Sequence, residues 1–350
     1  MKSDPAVVTV TLNPAIDQTL SIPGFAAGRV NRVAESRSHA GGKGVNVACF
    51  LADLGIDVLA TGFLGSKNPE LFEETFARKR IVDRFVRIDG ATRAGLKIVD
   101  PETQQTTDIN FPGLAPKPEE IDELRSRVAA LAEPGRWFVL SGSVPPGVPD
   151  DIYADLIDSI HDQGGRVVLD TSGRPLRHAV RRGPEVTKPN LDELNELVGH
   201  AQETPEAMWI SAALLIENGL HRVVISMGGD GALFVDPGRA LLARPPEVTV
   251  RSTVGAGDAM VAGIVFAMIQ GLPLEEVART ATAGGAYAVT RVGAGIDDLD
   301  AWRELAGQVR IEPLELHDGE NCCDHGLSDG SGPHADGSRG VEEDRRGDGA

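Results

Sequence analysis

The sequence predicts an α/β protein with a mainly parallel sheet covered by helices on both faces and a small β appendage. Three observations carry that expectation. Apolar, β-branched runs alternate along the chain with longer helical stretches, the pattern of strand–helix–strand units. Glycine stands at 41 residues while aromatics make up only 4%, which suits many tight strand-to-helix turns better than an all-β sandwich. Two segments, about residues 18–39 and 85–111, carry short alternating patterns such as Leu96-Lys97-Ile98-Val99 with no helix between them.

In chain order, the first strand is expected at 7–12, where an apolar run ends in Asn13-Pro14 and turns. Further strands are expected at 58–63, 137–141, 166–170, 185–188 and 223–227, and helices at 45–54, 118–132 and 150–163. An apolar helix should follow Asp258 through Met268. The two alternating segments read as a lid, since ligands in open α/β sheets lie outside the carboxyl ends of the strands. The domain is therefore placed at 6–312. Residues 313–350 hold ten acidic and three basic residues, eight glycines and few large apolar ones, so this tail is expected to be disordered. Cys322-Cys323-Asp324-His325 within it has poor spacing for a tetrahedral metal and reads as a solvated tail.

A formal charge of -18 excludes a broad basic surface for nucleic acid or anionic lipid. Three cysteines cannot frame 350 residues with disulfides, and no signal-peptide core or membrane-length apolar run is present, so a cytoplasmic protein is expected. Any anionic ligand must be held by local cations and backbone N–H groups.

Two glycine clusters offer this. In Thr253-Val254-Gly255-Ala256-Gly257-Asp258, the glycines open a helix whose backbone N–H groups and dipole form an anion hole. Asp258 in the first turn can then accept a hydroxyl proton as catalytic base, although a plain Gly-rich turn would also give this motif. In His39-Ala40-Gly41-Gly42-Lys43-Gly44-Val45-Asn46, Lys43 supplies charge and Asn46 can hydrogen-bond a hydroxyl. The second cluster departs from a Walker A loop because Gly, not Ser or Thr, follows the lysine, which disfavours a P-loop NTPase.

Together with Asn13-Pro14-Ala15-Ile16-Asp17, Ser141-Gly142-Ser143-Val144-Pro145-Pro146-Gly147, Lys188-Pro189-Asn190-Leu191-Asp192-Glu193 and Ser226-Met227-Gly228-Gly229-Asp230-Gly231, these motifs resemble the PfkB (ribokinase-like) carbohydrate kinases from about Val7 to Leu305. Within that family, Thr61-Gly62-Phe63-Leu64-Gly65 and Thr107-Asp108-Ile109-Asn110-Phe111-Pro112-Gly113 are most similar to bacterial 1-phosphofructokinases. The resemblance implies a ribokinase-like three-layer α/β/α domain with a β-sheet lid. It implies phosphorylation of D-fructose 1-phosphate by ATP with Mg2+, with fructose 6-phosphate and tagatose 6-phosphate as alternative substrates and a catalytically inactive sensor as the non-enzyme alternative.

It also implies roles. Gly255, Ala256, Gly257 and Asp258 would form the catalytic anion hole and base. Asp17, Gly41, Gly42 and Asn46 would line the sugar site, with Ser141 adding a hydroxyl. Lys43, Arg93 and Lys97 would clamp the phosphate already on the sugar. Lys188, Asn190, Ser226, Gly228, Gly231, Thr253 and Gly284 would hold the nucleotide, with helix packing as the alternative for Gly284, and Glu193 would bind magnesium. A homodimer is expected, because a β lid offers edges that a second subunit can cover.

Overall fold

The computed structural model describes residues 6–103 and 105–315. The acidic tail and its Cys-Cys-Asp-His segment, beyond 315, lie outside the described residues.

The strands in chain order begin with β1 (Val7–Thr11), β2 (Ala15–Ser21), β3 (Glu35–Gly41), β4 (Val58–Gly65) and β5 (Val82–Asp83). Next come β6 (Val86–Ile88), β7 (Ala94–Asp100), β8 (Gln105–Asn110), β9 (Trp137–Ser141) and β10 (Arg166–Asp170). The last five are β11 (Val186–Thr187), β12 (Val223–Ser226), β13 (Ala232–Asp236), β14 (Arg239–Arg244) and β15 (Arg310–Leu314). The helices are α1 (Lys43–Asp53), α2 (Glu70–Lys79), α3 (Pro118–Leu131), α4 (Ile152–His161) and α5 (Gly173–Ala179). They continue with α6 (Leu191–Val198), α7 (Pro205–Glu217), α8 (Ala256–Ile269), α9 (Leu274–Val289) and α10 (Leu299–Gln308).

The large sheet runs β15-β14-β13-β12-β11-β10-β9-β1-β4-β5, with β6 also on β4. Pairing is parallel from β5 to β12 and antiparallel from β12 to β15. Because side chains alternate across a strand, β1 sends Val7 to one face and Val8 and Val10 to the other. Val7 joins the core under α1, α8 and α9, while Val8 and Val10 join that under α3, α4 and α7. Burial on both faces explains why the parallel strands read as near-continuous apolar runs. From β1 the chain reaches β4 on one side and later β9 on the other, so a topological switch point lies between β1 and β9.

The lid is a separate sheet, β3-β2-β7-β8. It begins three residues earlier than the alternation suggested, at Ala15, because β2 and β3 pair down to Ala15↔Gly41. Residues 86–88 are not part of it: as β6 they extend the central sheet beside Phe63–Gly65. The antiparallel edge was also unanticipated. Its last strand, β15, passes the boundary drawn at 312 and ends at Leu314, with Pro313 tolerated because this is an edge strand.

A chain ended after Val309 should lose β15 and leave β14 with an unpaired edge, lowering the thermal midpoint by roughly 5 °C or more. A chain ended after Glu315 should melt like the full protein. Scanning calorimetry on both truncations checks this, and an unchanged midpoint for the shorter one contradicts the assignment.

Candidate active site

Two helices open at the carboxyl ends of the parallel strands. α1 begins at Lys43 with Gly42 as its N-cap, and α8 begins at Ala256 behind Gly255, whose φ of 81° is the left-handed conformation that favours glycine. Beneath them Thr11, Ser141 and Asp170 stand side by side on β1, β9 and β10.

Asp170 is fully buried. Its Oδ1 accepts from Lys43 Nζ at 3.1 Å and lies 3.4 Å from Lys188 Nζ, while its Oδ2 has no hydrogen-bond partner. Burial alone would raise the Asp170 carboxyl, but Lys188 and Lys43 outweigh it and hold the group below the ordinary carboxylate range. Burial works against the Lys43 charge as well, yet Asp170, then Asp258 and Glu193, keep that ammonium above its usual value.

Asp258, in the first turn of α8, behaves oppositely. Burial is the largest influence and pushes its carboxyl up to about 6; Lys43 opposes this, Asp170 adds to it, and Asn46 and Lys188 oppose it further. Asn46 Nδ2 donates to Asp258 Oδ2 at 2.7 Å, which orients the carboxylate, and Asn46 Oδ1 is buried without a partner. The result is a carboxylate that is ionised at neutral pH and a better proton acceptor than an exposed aspartate. Lys188 Nζ sits close to Gly257, 3.5 Å from where a Cβ there would be, so the backbone anion hole and this buried ammonium adjoin.

On the lid, Asp17 faces His39 on β3 and Gly95 on β7, and a Cβ at Gly41 or Gly95 would collide with its carboxylate at 2.4 and 2.6 Å. Glycine on both flanking strands therefore makes room for it. Burial raises the Asp17 carboxyl, offset by Lys97, His39 and Arg93. On the other side of Asp258 lies a cavity of about 600 Å³, lined by Ser226, Gly228, Gly231, Thr253, Ala256 and Gly257 among others. Pro245, Pro246, Val248 and Val289 give it apolar walls. Its volume and its mixed polar and apolar lining are those of a small-molecule site that reaches the start of α8.

Three sequence expectations, at Ser141, Gly284 and Lys43, need correction, and Arg93, Lys97, Asn190 and Glu193 hold partners of their own. Ser141 is sealed under α1, where a Cβ at Gly44 would lie 3.2 Å from its Oγ, so it cannot reach a ligand in the cleft. Gly284 faces α8, its Cβ position 2.7 Å from Ala259 O, and packs helices; Thr282, Gly285 and Ala286 line the cavity instead. Lys43 does not join Arg93 and Lys97 but leans on Asp170. Arg93 donates to the carbonyls of Phe111 at 2.9 Å and Asn13 at 3.2 Å, tying the lid's neck, and Lys97 lies 3.8 Å from Asp108. Asn190 and Glu193 form a reciprocal cap at the start of α6, each side chain accepting the other's backbone N–H at 2.8 Å. Asp170 was missed as a site residue. Its signal was a carboxylate closing the apolar run Val167-Val168-Leu169 of a parallel strand.

The model of the pfkB family carbohydrate kinases matches residues 6–302. The chain belongs to the pfkB family. Among curated pfkB relatives it is 44% identical to a 1-phosphofructokinase of Rhodobacter capsulatus, over 88% of this chain and 98% of that one. It is 39% identical to a 1-phosphofructokinase of Vibrio cholerae, over 88% and 97%. Its backbone matches Escherichia coli phosphofructokinase-2 in complex with substrates and products with a TM-score of 0.82, at 30% identity, covering 86% of this chain and 98% of that one. As in any kinase of the pfkB family, ATP is the expected phosphoryl donor. Among the described residues no helix is long and apolar enough to cross a membrane.

The raised Asp258 carboxyl has a stability consequence. Its contribution to folding is complete below the unfolded value of 3.8 and is lost as pH rises through about 6. Asp258→Asn, which never ionises, should gain on the wild type between those two values, by on the order of 2–3 kcal/mol, with a constant difference on either side. Urea unfolding of both proteins from pH 3.5 to 8 measures this, and a pH-independent difference contradicts the shift.

Proposed function

We propose that this chain transfers the γ-phosphoryl group of ATP to O6 of D-fructose 1-phosphate, giving fructose 1,6-bisphosphate. The observation that carries the reading is the position of Asp258. It is a buried carboxylate pinned by Asn46 at the mouth of a helix, between a nucleotide-sized cavity and a lid bearing Asp17. The similarity to curated 1-phosphofructokinases supports the choice of sugar phosphate.

In this reading Asp17 and the unpartnered Asn46 Oδ1 accept sugar hydroxyls and leave O6 facing Asp258. Arg93 and Lys97, on the Asp17 side of the lid, receive the resident phosphate by exchanging their present partners for phosphate oxygens. Backbone N–H groups from Gly255 to Asp258 and the Lys188 ammonium meet the γ-phosphoryl. Ser226, Gly228, Gly231 and Thr253 line the nucleotide's cavity, with Asn190 holding the start of α6 beside Lys188.

Magnesium asks for few protein ligands beside phosphates and water. Among the described residues there is no cluster of three metal-binding side chains, and Glu193 uses only Oε2 in its cap, so Oε1 is the oxygen assigned to the hydrated ion. The ion would offset phosphate charge there.

A second copy of the chain is assigned to the lid edge, where β8 is exposed along its whole length and Ile109 and Phe111 stand half exposed. The kinase domain runs from 6 to the end of β15, and the lid from β2–β3 and β7–β8.

A coupled assay comparing fructose 1-phosphate, fructose 6-phosphate, tagatose 6-phosphate and fructose tests the reading. The highest kcat/KM is expected for fructose 1-phosphate, with Asp258→Asn lowering kcat by roughly 10²–10⁴-fold. Preference for a 6-phosphate moves the substrate within the family, and absence of any ADP formation supports a sensor.

A further inference from the structure

Across the four strands of the lid, paired residues fall into rows. His39, Asp17, Gly95 and Asn110 form one row on β3, β2, β7 and β8, and Thr19, Lys97 and Asp108 belong to the next. Directly paired residues point to the same face of a sheet, so Asn110 shares the face of Asp17 while its neighbour Ile109 turns to the other. The distances agree. A Cβ on Gly95 would lie 2.6 Å from Asp17 Oδ1 and 3.6 Å from Asn110 Oδ1. Glycine therefore leaves a notch in the row, with a carboxylate on one wall and an amide on the other. Arg93 and Lys97 lie two residues to either side of Gly95, and the pairing continues through Arg93, whose carbonyl accepts from Ile16 N at 2.8 Å. Alternation along the strand puts both cations on the face of the notch.

The two walls differ in what they can meet. Asp17 accepts hydroxyl protons, and its charge opposes a phosphate oxygen. Asn110 is neutral and carries two N–H donors, which rotation about its side chain can present to the notch, so phosphate oxygens meet donors there and no like charge. Asp108 is the other acid of β8 on this face, and Lys97 faces it at 3.8 Å. Asn110 is exposed, as all of β8 is, and its amide is open to a ligand. The notch thus has a hydroxyl end at Asp17 and a phosphate end at Asn110.

Resting on the activity proposed above, we infer that Asn110 is a further specificity-determining residue, whose amide donates to the phosphate already carried by the sugar while Asp17, across Gly95, takes the hydroxyls. Asn110 adds direction to the charge that Arg93 and Lys97 supply: a sugar phosphate turned end for end would set its phosphate against Asp17.

The test uses full-length Asn110→Asp and Asn110→Ala enzymes, with folding followed by circular dichroism. Steady-state kinetics is combined with calorimetric binding of fructose 1-phosphate. Asn110→Asp changes the shape little but faces the phosphate with a second carboxylate, so KM and Kd for fructose 1-phosphate should rise by roughly tenfold or more. The rise should shrink in about 0.5 M sodium chloride, which screens a partly exposed charge. KM for ATP and kcat should stay within about threefold of wild type. Asn110→Ala, which only removes the donor, should raise KM for fructose 1-phosphate by about threefold to thirtyfold and supplies the result if the aspartate variant does not fold. A carboxylate serves a hydroxyl as well as an amide does, so an Asn110→Asp enzyme with KM and Kd within about threefold of wild type, or lower, overturns the inference. A loss confined to kcat, or an equal rise in KM for ATP, overturns it as well. Wild-type turnover of fructose 1-phosphate in the same assay tests the underlying activity separately.

Discussion

A carboxylate with no exposed surface and two ammonium groups on one of its oxygens is the constraint around which this site is built. Asp170 cannot be left ionised in the interior without cations, and the cations cannot be held there without it. Satisfying the pair fixes where α1 begins, since Lys43 is its first residue, and where the chain leaves β11, since Lys188 follows that strand directly. Ion pairs of this kind seldom add net stability over apolar packing, because desolvation offsets the Coulomb gain. Here the structure gains fixed positive charge at the foot of a helix-start anion hole.

The same burial drives two aspartates in opposite directions. Asp170 has both lysines within contact and stays low; Asp258 has a neutral amide as its nearest partner and rises to about 6. The two carboxylates thereby separate into a counter-ion held low and a group raised toward neutrality. The lid repeats the arrangement more weakly at Asp17, where burial is again opposed by Lys97, His39 and Arg93. Acidic groups thus stand on both sides of the proposed sugar site, and in a chain of net charge -18 a phosphate can be held only by local cations and backbone N–H groups.

The parallel half of the sheet was legible because strands buried on both faces must be apolar throughout, and the expected 137–141 and 166–170 match β9 and β10 residue for residue. The antiparallel edge was not, since β13 and β14 form a tight pair with no helix to set the rhythm, and β15 carries Glu312 and Pro313, which read as tail. In the site, Asp258 and Asn46 were visible because glycine-opened helices mark anion sites locally. Asp170 was hidden because its importance lies in contacts 127 and 18 residues distant, with Lys43 and Lys188. Ser141 and Gly284 show the converse. Each has the right residue type, but α1 covers one and α8 the other, and side-chain direction is a tertiary fact.

The account turns on Asp258 being an ionised, burial-raised base in contact with Asn46. The pH dependence of kcat, measured with both ATP and fructose 1-phosphate saturating so that ionisation of the free sugar phosphate drops out, reads this group in the enzyme. The account predicts a rate that is level above neutrality and falls in proportion to acid below an apparent pKa of about 6, the value set by burial of Asp258. A profile that stays level down to pH 4 would contradict it, because a base with an ordinary aspartate pKa cannot occupy the buried position on which the mechanism depends.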